Sequence, residues 1–143
     1  MVDMGVPNYL VASSVIAVLA QRLVRITCQR CKQQIQLPES VLRDAGIPPK
    51  LAAKATFMKG KGCANCNKNG FRGRQGIFEL MLINSKIREL IFKNVAATEI
   101  RKQAITQGMK TLYVDGMNKV MRGVTSLDEV YRNAKRTEQD VIV

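Results

Sequence analysis

The sequence predicts an α+β fold: a helix and a strand, a cysteine-bounded insert, a returning strand, and then about four helices. Three observations predict it. Arg22-Leu23-Val24-Arg25-Ile26 alternates polar and apolar positions at the period of a half-buried strand, and Ile77–Ile83 reads as a second strand. From Asn84 onward the apolar spacing turns helical. Between the two strands stand all four cysteines, as the CxxC pairs Cys28/Cys31 and Cys63/Cys66, with 31 residues separating the pairs. Of the 143 residues 46% are hydrophobic and 24% charged, a mix that folds, and the length suits one main core.

Taken in order, Asn8 is the expected N-cap of a helix running to Gln21. Leu10, Val11, Val15, Ile16, Val18 and Leu19 spread apolar groups around most of its circumference, so it is expected to be buried. The run Tyr9–Ala20 is too short and too interrupted by Ser13 and Ser14 to span a bilayer. The insert is too long for a structureless loop; a helix is expected to start at Pro38-Glu39-Ser40 and end near Gly46, before the Pro48-Pro49 break. Gly70–Gly76 reads as a glycine-punctuated basic turn leading into the second strand. Ile87, Leu90 and Ile91, then Ile100, Ala104 and Ile105, then Leu112, Val120 and Met121 mark three helices, with Gly108 and Gly123 at ends. Ser126 followed by Glu129 forms a capping box for a last helix, with Leu127, Val130, Tyr131 and Ala134 as its apolar stripe. Beyond Lys135 a frayed tail is expected. This order suggests the tail end of an α/β core carrying a metal insert and a helical bundle. The expected divisions are 1–27, 28–70, 71–83, 84–136 and 137–143.

Two CxxC turns supply the four thiolates that zinc takes in closed, structural sites, so Cys28, Cys31, Cys63 and Cys66 are the candidate ligands. The chain has no His, which removes Cys/His fingers and histidine bases, and four sulfurs leave no open position for a catalytic water. A bound dication would lower the formal charge of +12 to about +10. Arg30, Lys32, Lys61 and Lys68 offset the remaining local negative charge, and Asn65, Asn67, Asn69 and Gly70 suit the tight turn. The competing readings are disulfides, disfavoured because the first ten residues carry no secretory leader, and a redox dithiol, which needs one pair alone. Iron fits the same spacing. A cytoplasmic protein is expected.

The net charge suits an acidic partner such as nucleotide phosphates, nucleic acid or an anionic membrane. With no Trp and 5% aromatics, stacking platforms for single-stranded bases are scarce. No GxxxxGK[ST] occurs; Lys59-Gly60-Lys61-Gly62 lacks both its spacing and its hydroxyl, so this chain by itself is expected not to hydrolyse ATP. Arg72-Gly73-Arg74 would place guanidinium groups on a phosphate or an adenine ring, or else forms a solvated basic turn.

Several stretches then combine into a resemblance. Asp3-Met4-Gly5-Val6, Leu10–Ser14, Leu19–Arg25, both CxxC pairs, Gly70–Leu80, Ile87–Ile91, Gly108-Met109 and Gly123–Val130 resemble, in order, the ATPases of type IV pilus assembly and type II secretion, over about 130 residues. The resemblance implies the last strands and helix of a RecA-like core, a tetracysteine zinc subdomain and a C-terminal helical subdomain, within a homo-hexamer. It implies ATP and magnesium in a longer parent protein, an inner-membrane platform protein as partner, no specific nucleic acid, and a cytoplasmic location peripheral at the inner membrane. Carried over by position, the four cysteines are metal ligands and Arg74 lies near the nucleotide base, with Arg72 and Gly73 beside it and Gln21 and Arg22 toward the nucleotide side. The phosphate-binding loop and N-terminal docking domains of the family have no counterpart here. A truncated piece is therefore expected, with Met1 vector-derived, and an uncovered helix at Asn8–Gln21 that makes the piece dimerise. The alternative is a free-standing zinc-ribbon nucleic-acid binder or adaptor.

Overall fold

In the computed structural model, which describes residues 5–142, helix α1 (Asn8–Ser14) is half as long as its apolar composition suggested. Met1, Asp3 and Met4 lie outside the described residues. The N-cap is Pro7, without a side-chain cap, and Asn8 is already helical. The Ser13 hydroxyl donates back to the Leu10 carbonyl, and the last helical bond runs from Val15 N–H to Val11 O. Beyond it the β-branched Val15, Ile16 and Val18 favour extended backbone, and the chain becomes strand β1 (Ala17–Thr27). Nor is this segment a buried helix: Val11 and Ala12 are buried, but Tyr9, Leu10, Ile16 and Leu19 are exposed, Ile16 at 81%.

Strand β2 (Lys32–Gln34) pairs antiparallel with β3 (Met58–Gly60), Lys32 facing Gly60 and Gln34 facing Met58. Between them lie α2 (Glu39–Asp44), where a helix was expected, and α3 (Pro49–Ala52), which opens on the second proline of the expected break. Strand β4 (Phe71–Leu82) absorbs most of the expected glycine turn. It pairs with β1: Cys28 N–H donates to Gly70 O at one end and Ile83 N–H to Ile16 O at the other, so the two run antiparallel. Helices α4 (Ser85–Phe92), α5 (Ala97–Thr106), α6 (Leu112–Met121) and α7 (Leu127–Asn133) complete the chain.

The chain divides into two units. One comprises the chain up to Ala20 with Glu79–Thr111, and its core gathers Ile83, Ile87 and Ala104, flanked by Val15, Met81, Ile91 and Ile100. Asn84 caps α4 by accepting from Ile87 N–H at 3.1 Å. The other comprises Gln21–Phe78 with the chain from Leu112 onward, around Val24, Phe57, Ile77, Tyr113, Met117, Val120 and Val130. Within it the insert is tied to the later helices: Thr56 N–H reaches Met121 O at 2.7 Å and the buried Tyr113 hydroxyl donates to Ala45 O at 3.0 Å. The tail as far as Ile142 is docked and not frayed. Arg136 donates to Asp44 O at 2.6 Å, Asp140 accepts from Thr137 N–H, and Ile142 is 3% exposed, because an apolar residue past the mixed charges has a core to join. Tyr131, assigned to the apolar stripe of the last helix, is 41% exposed.

Candidate metal centre

The cysteines are delivered by the ends of the two strand pairs. Cys28 follows β1, and a tight turn closed by Cys31 N–H to Cys28 O at 3.2 Å leads into β2. Cys63 follows β3 and opens a single 3-10 turn, Ala64–Cys66, with Cys66 N–H on Cys63 O at 3.1 Å. Asn67 and Lys68 then take left-handed backbone, at φ 48° and 62°, which turns the chain back so that Lys68 N–H also reaches Cys63 O. The β2–β3 register brings the knuckles together, and Lys61 N–H donates to Cys31 O at 3.0 Å. Closure needs glycine on both sides. A Cβ on Gly60 would run into the Gly70 carbonyl, and one on Gly70, itself at φ +80°, would lie 2.6 Å from the Gly60 oxygen.

The four sulfurs converge within 4.8 Å of one another, with Cys28–Cys63 at 3.9 Å, Cys31–Cys66 at 3.8 Å and Cys63–Cys66 at 3.7 Å. A sulfur tetrahedron about zinc, with bonds of about 2.3 Å, has edges of about 3.8 Å. Disulfides are a different geometry, near 2.05 Å, and all four cysteines are free. Donors surround the sulfurs: Gly62 N–H to Cys31 at 3.3 Å, Cys63 N–H to Cys66 at 3.1 Å, Gly70 N–H to Cys66 at 3.3 Å, and the Asn65 side-chain amide to Cys28 at 3.6 Å. Burial pushes each of Cys28, Cys31 and Cys66 up. At Cys28 the Asn65 amide and the N–H groups of Arg30 and Cys31 outweigh it and hold the thiol at about 6. Cys66 is likewise lowered, by the N–H groups of Cys63 and Gly70. Cys31 goes to about 12, because burial and its three sulfur neighbours outweigh Gly62. Sulfurs this close cannot all shed their protons unless a cation shares the charge, and a dication with four thiolates satisfies that requirement. The donor set and its spacing thus fit a metal ion.

The residues expected near a nucleotide, Gln21 and Arg22 on β1 and Arg72, Gly73 and Arg74 on β4, are all exposed. Arg72 is engaged elsewhere: its guanidinium donates to the Asn65 carbonyl at 2.9 Å and to the Asn65 side-chain oxygen. Sequence reasoning gave Asn65 a turn-forming role and missed its contact with Cys28. A side-chain amide two residues after a knuckle cysteine is the signal that points to it. The fragment Lys59–Gly62 is part of the knuckle scaffold.

Set against known proteins, residues 1–132 match the model of the family described as type II/IV secretion system protein. The chain belongs to the type II/IV secretion system protein family. Within that family it is 38% identical over 134 residues to the type IV pilus assembly ATPase PilB of Myxococcus xanthus, covering 93% of this chain and 24% of that protein. It is 39% identical over 132 residues to the type II secretion system protein E of Pseudomonas aeruginosa, covering 92% and 26% respectively. With the PilB of Acinetobacter baylyi the identity is 42% over 132 residues, covering 91% and 23%. This family member thus spans about a quarter of the length of the curated relatives it matches. Among its described residues no helix is long and apolar enough to cross a membrane.

Proposed function

We propose that this chain is the C-terminal part of a hexameric ATPase that powers type IV pilus assembly or type II protein secretion, and that Cys28, Cys31, Cys63 and Cys66 hold a structural zinc ion in it. One observation carries the zinc reading: four convergent thiols, with three of their separations at the edge length of a sulfur tetrahedron. The ion would supply a cross-link between two backbone segments 35 residues apart in sequence, and no chemistry. The family match over most of the chain supports the motor assignment.

On this reading residues 1–27 and 71–83 close a RecA-like core, 28–70 is the zinc subdomain, and 84–136 is a helical subdomain with 137–143 as its tail. ATP and magnesium belong to the longer protein, Arg74 lies near the base with Arg72, Gly73, Gln21 and Arg22 on the same side, and an inner-membrane platform protein is the partner at the cytoplasmic face. The exposed Ile16, Leu19, Leu80 and Leu82 are covered in the assembled protein, and in the isolated chain they favour dimers, which sedimentation at tens of micromolar reads directly. Purified chain is expected to contain one zinc per polypeptide by elemental analysis and to lack ATP hydrolysis. Cys63→Ser is expected to lose the metal and unfold at lower temperature. Full occupancy in Cys63→Ser, or metal-free but thermally stable wild-type protein, would remove the zinc reading.

One observation favours the nucleic-acid alternative: residues 21–78 carry 12 basic side chains against 2 acidic ones. Submicromolar binding to random DNA that weakens steeply with salt would establish it.

A further inference from the structure

The N–H···S donors to the four sulfurs are backbone groups with one side-chain exception among the described residues, the Asn65 amide on Cys28. That amide crosses from the second knuckle to the first. Its orientation is decided by charge. A guanidinium has donors alone and a thiolate accepts alone, so the Asn65 oxygen must face Arg72 and its NH2 must face Cys28. Arg72 holds the same residue at a second point, donating to the Asn65 carbonyl at 2.9 Å. Resting on the zinc reading above, we propose that Arg72 is a positioning residue of the metal centre: it fixes the Asn65 amide on Cys28 and thereby slows release of the ion. A four-thiolate zinc site has a net charge of −2, and an amide polarised by a neighbouring cation is the donor best suited to spread that charge. Arg72 comes from the start of β4, so the relay also ties the returning strand to the knuckles. While it holds, Arg72 is not a free cation for a phosphate.

The test uses the whole 143-residue chain loaded with zinc, with release to a chromogenic chelator followed over time, and the cobalt-substituted protein read through its sulfur-to-metal charge-transfer band. Arg72→Ala and Asn65→Ala are each expected to release zinc about 10-fold faster or more, the range for outer-shell partners. The double variant should be no faster than the singles, since both remove one relay. Asn65→Asp should be faster still, because a carboxylate replaces the donor beside the thiolate. Both single alanine variants should shift the cobalt band in the same direction, which a general loss of stability does not do. Lys54→Ala, which removes one exposed charge from the same unit, should change neither readout. Release from Arg72→Ala within twofold of a loaded wild type would overturn the relay and leave the zinc site standing. Wild-type protein that takes up no metal would overturn both.

Discussion

Glu129 shows how a single side chain is claimed by the stronger of two partners. Its backbone N–H does reach the Ser126 hydroxyl at 3.3 Å, the half of the capping box that starts α7. The carboxylate turns the other way, accepting from Arg25 Nε at 2.9 Å and Arg25 Nη2 at 2.7 Å, because a charge-assisted pair outweighs a return bond to a backbone N–H. Arg25 in turn lies over the Phe71 ring at 4.3 Å, and Thr125 donates to the Arg25 carbonyl at 2.7 Å, so one ion pair joins β1, β4 and α7. Glu129 is 6% exposed, and although burial alone would raise its carboxyl, the Arg25 hydrogen bonds hold it below the ordinary range. A depressed carboxyl stabilises the fold above its unfolded pKa and loses that contribution as pH falls through the folded value. Glu129→Gln is therefore expected to cost about 2 kcal/mol at pH 7, as charged hydrogen bonds do. The gap to wild type should begin to narrow as pH falls through the ordinary carboxylate range at about 4 and close only below the depressed folded value; urea denaturation at pH 7 and across that acid range checks it, and a gap that stays constant with pH would remove the ion pair from the account.

Among elements, the helices after Asn84 were the most legible, since each carries a repeat of three or four apolar positions and a glycine or capping residue at an end. The stretch from Asn8 to Gln21 misled because an all-round apolar segment satisfies both periods. Backbone pairing of β1 with β4, some 50 residues later, settles it as strand after Ser14. Gly73 explains why the first residues of β4 were read as a turn: it sits at φ +84° inside the strand, a conformation that glycine permits without ending the pairing. The short β2–β3 pair has no alternation to read, being three residues long on each side and held by the cysteine knuckles at its end. Gly60 is the element's tightest point, and its Cβ would strike backbone rather than a movable side chain. Gly60→Ala is expected to destabilise the zinc-loaded chain by about 2 kcal/mol, the usual cost of overpacking. An unchanged denaturation midpoint would show that the two backbones stand further apart than described.

At the scale of the molecule, the two units rest on different physics. The unit around Ile83, Ile87 and Ala104 is held by ordinary apolar packing and by the Asn84 cap of α4. In the other, the knuckles and the β2–β3 pair have little apolar material of their own and depend on the sulfur cluster. Chelation should therefore act unevenly. Hydrogen exchange after metal removal is expected to rise about 10-fold or more in peptides from 28–70 and to change less than twofold in 85–106, in keeping with local opening of separate units. Equal loss in both would mean that the metal supports the whole chain.

The four cysteines, their pairing into two knuckles, the late helices and the family were determined by the sequence by itself, because ligand count, spacing and periodicity are properties of the chain read in one dimension. The partners of Asn65, Arg72, Arg25 and Glu129, the end of α1 and the docked C-terminal residues were decided by tertiary structure alone. Each depends on which of several competing donors, acceptors or apolar faces a distant segment brings within reach, and no local pattern encodes that choice.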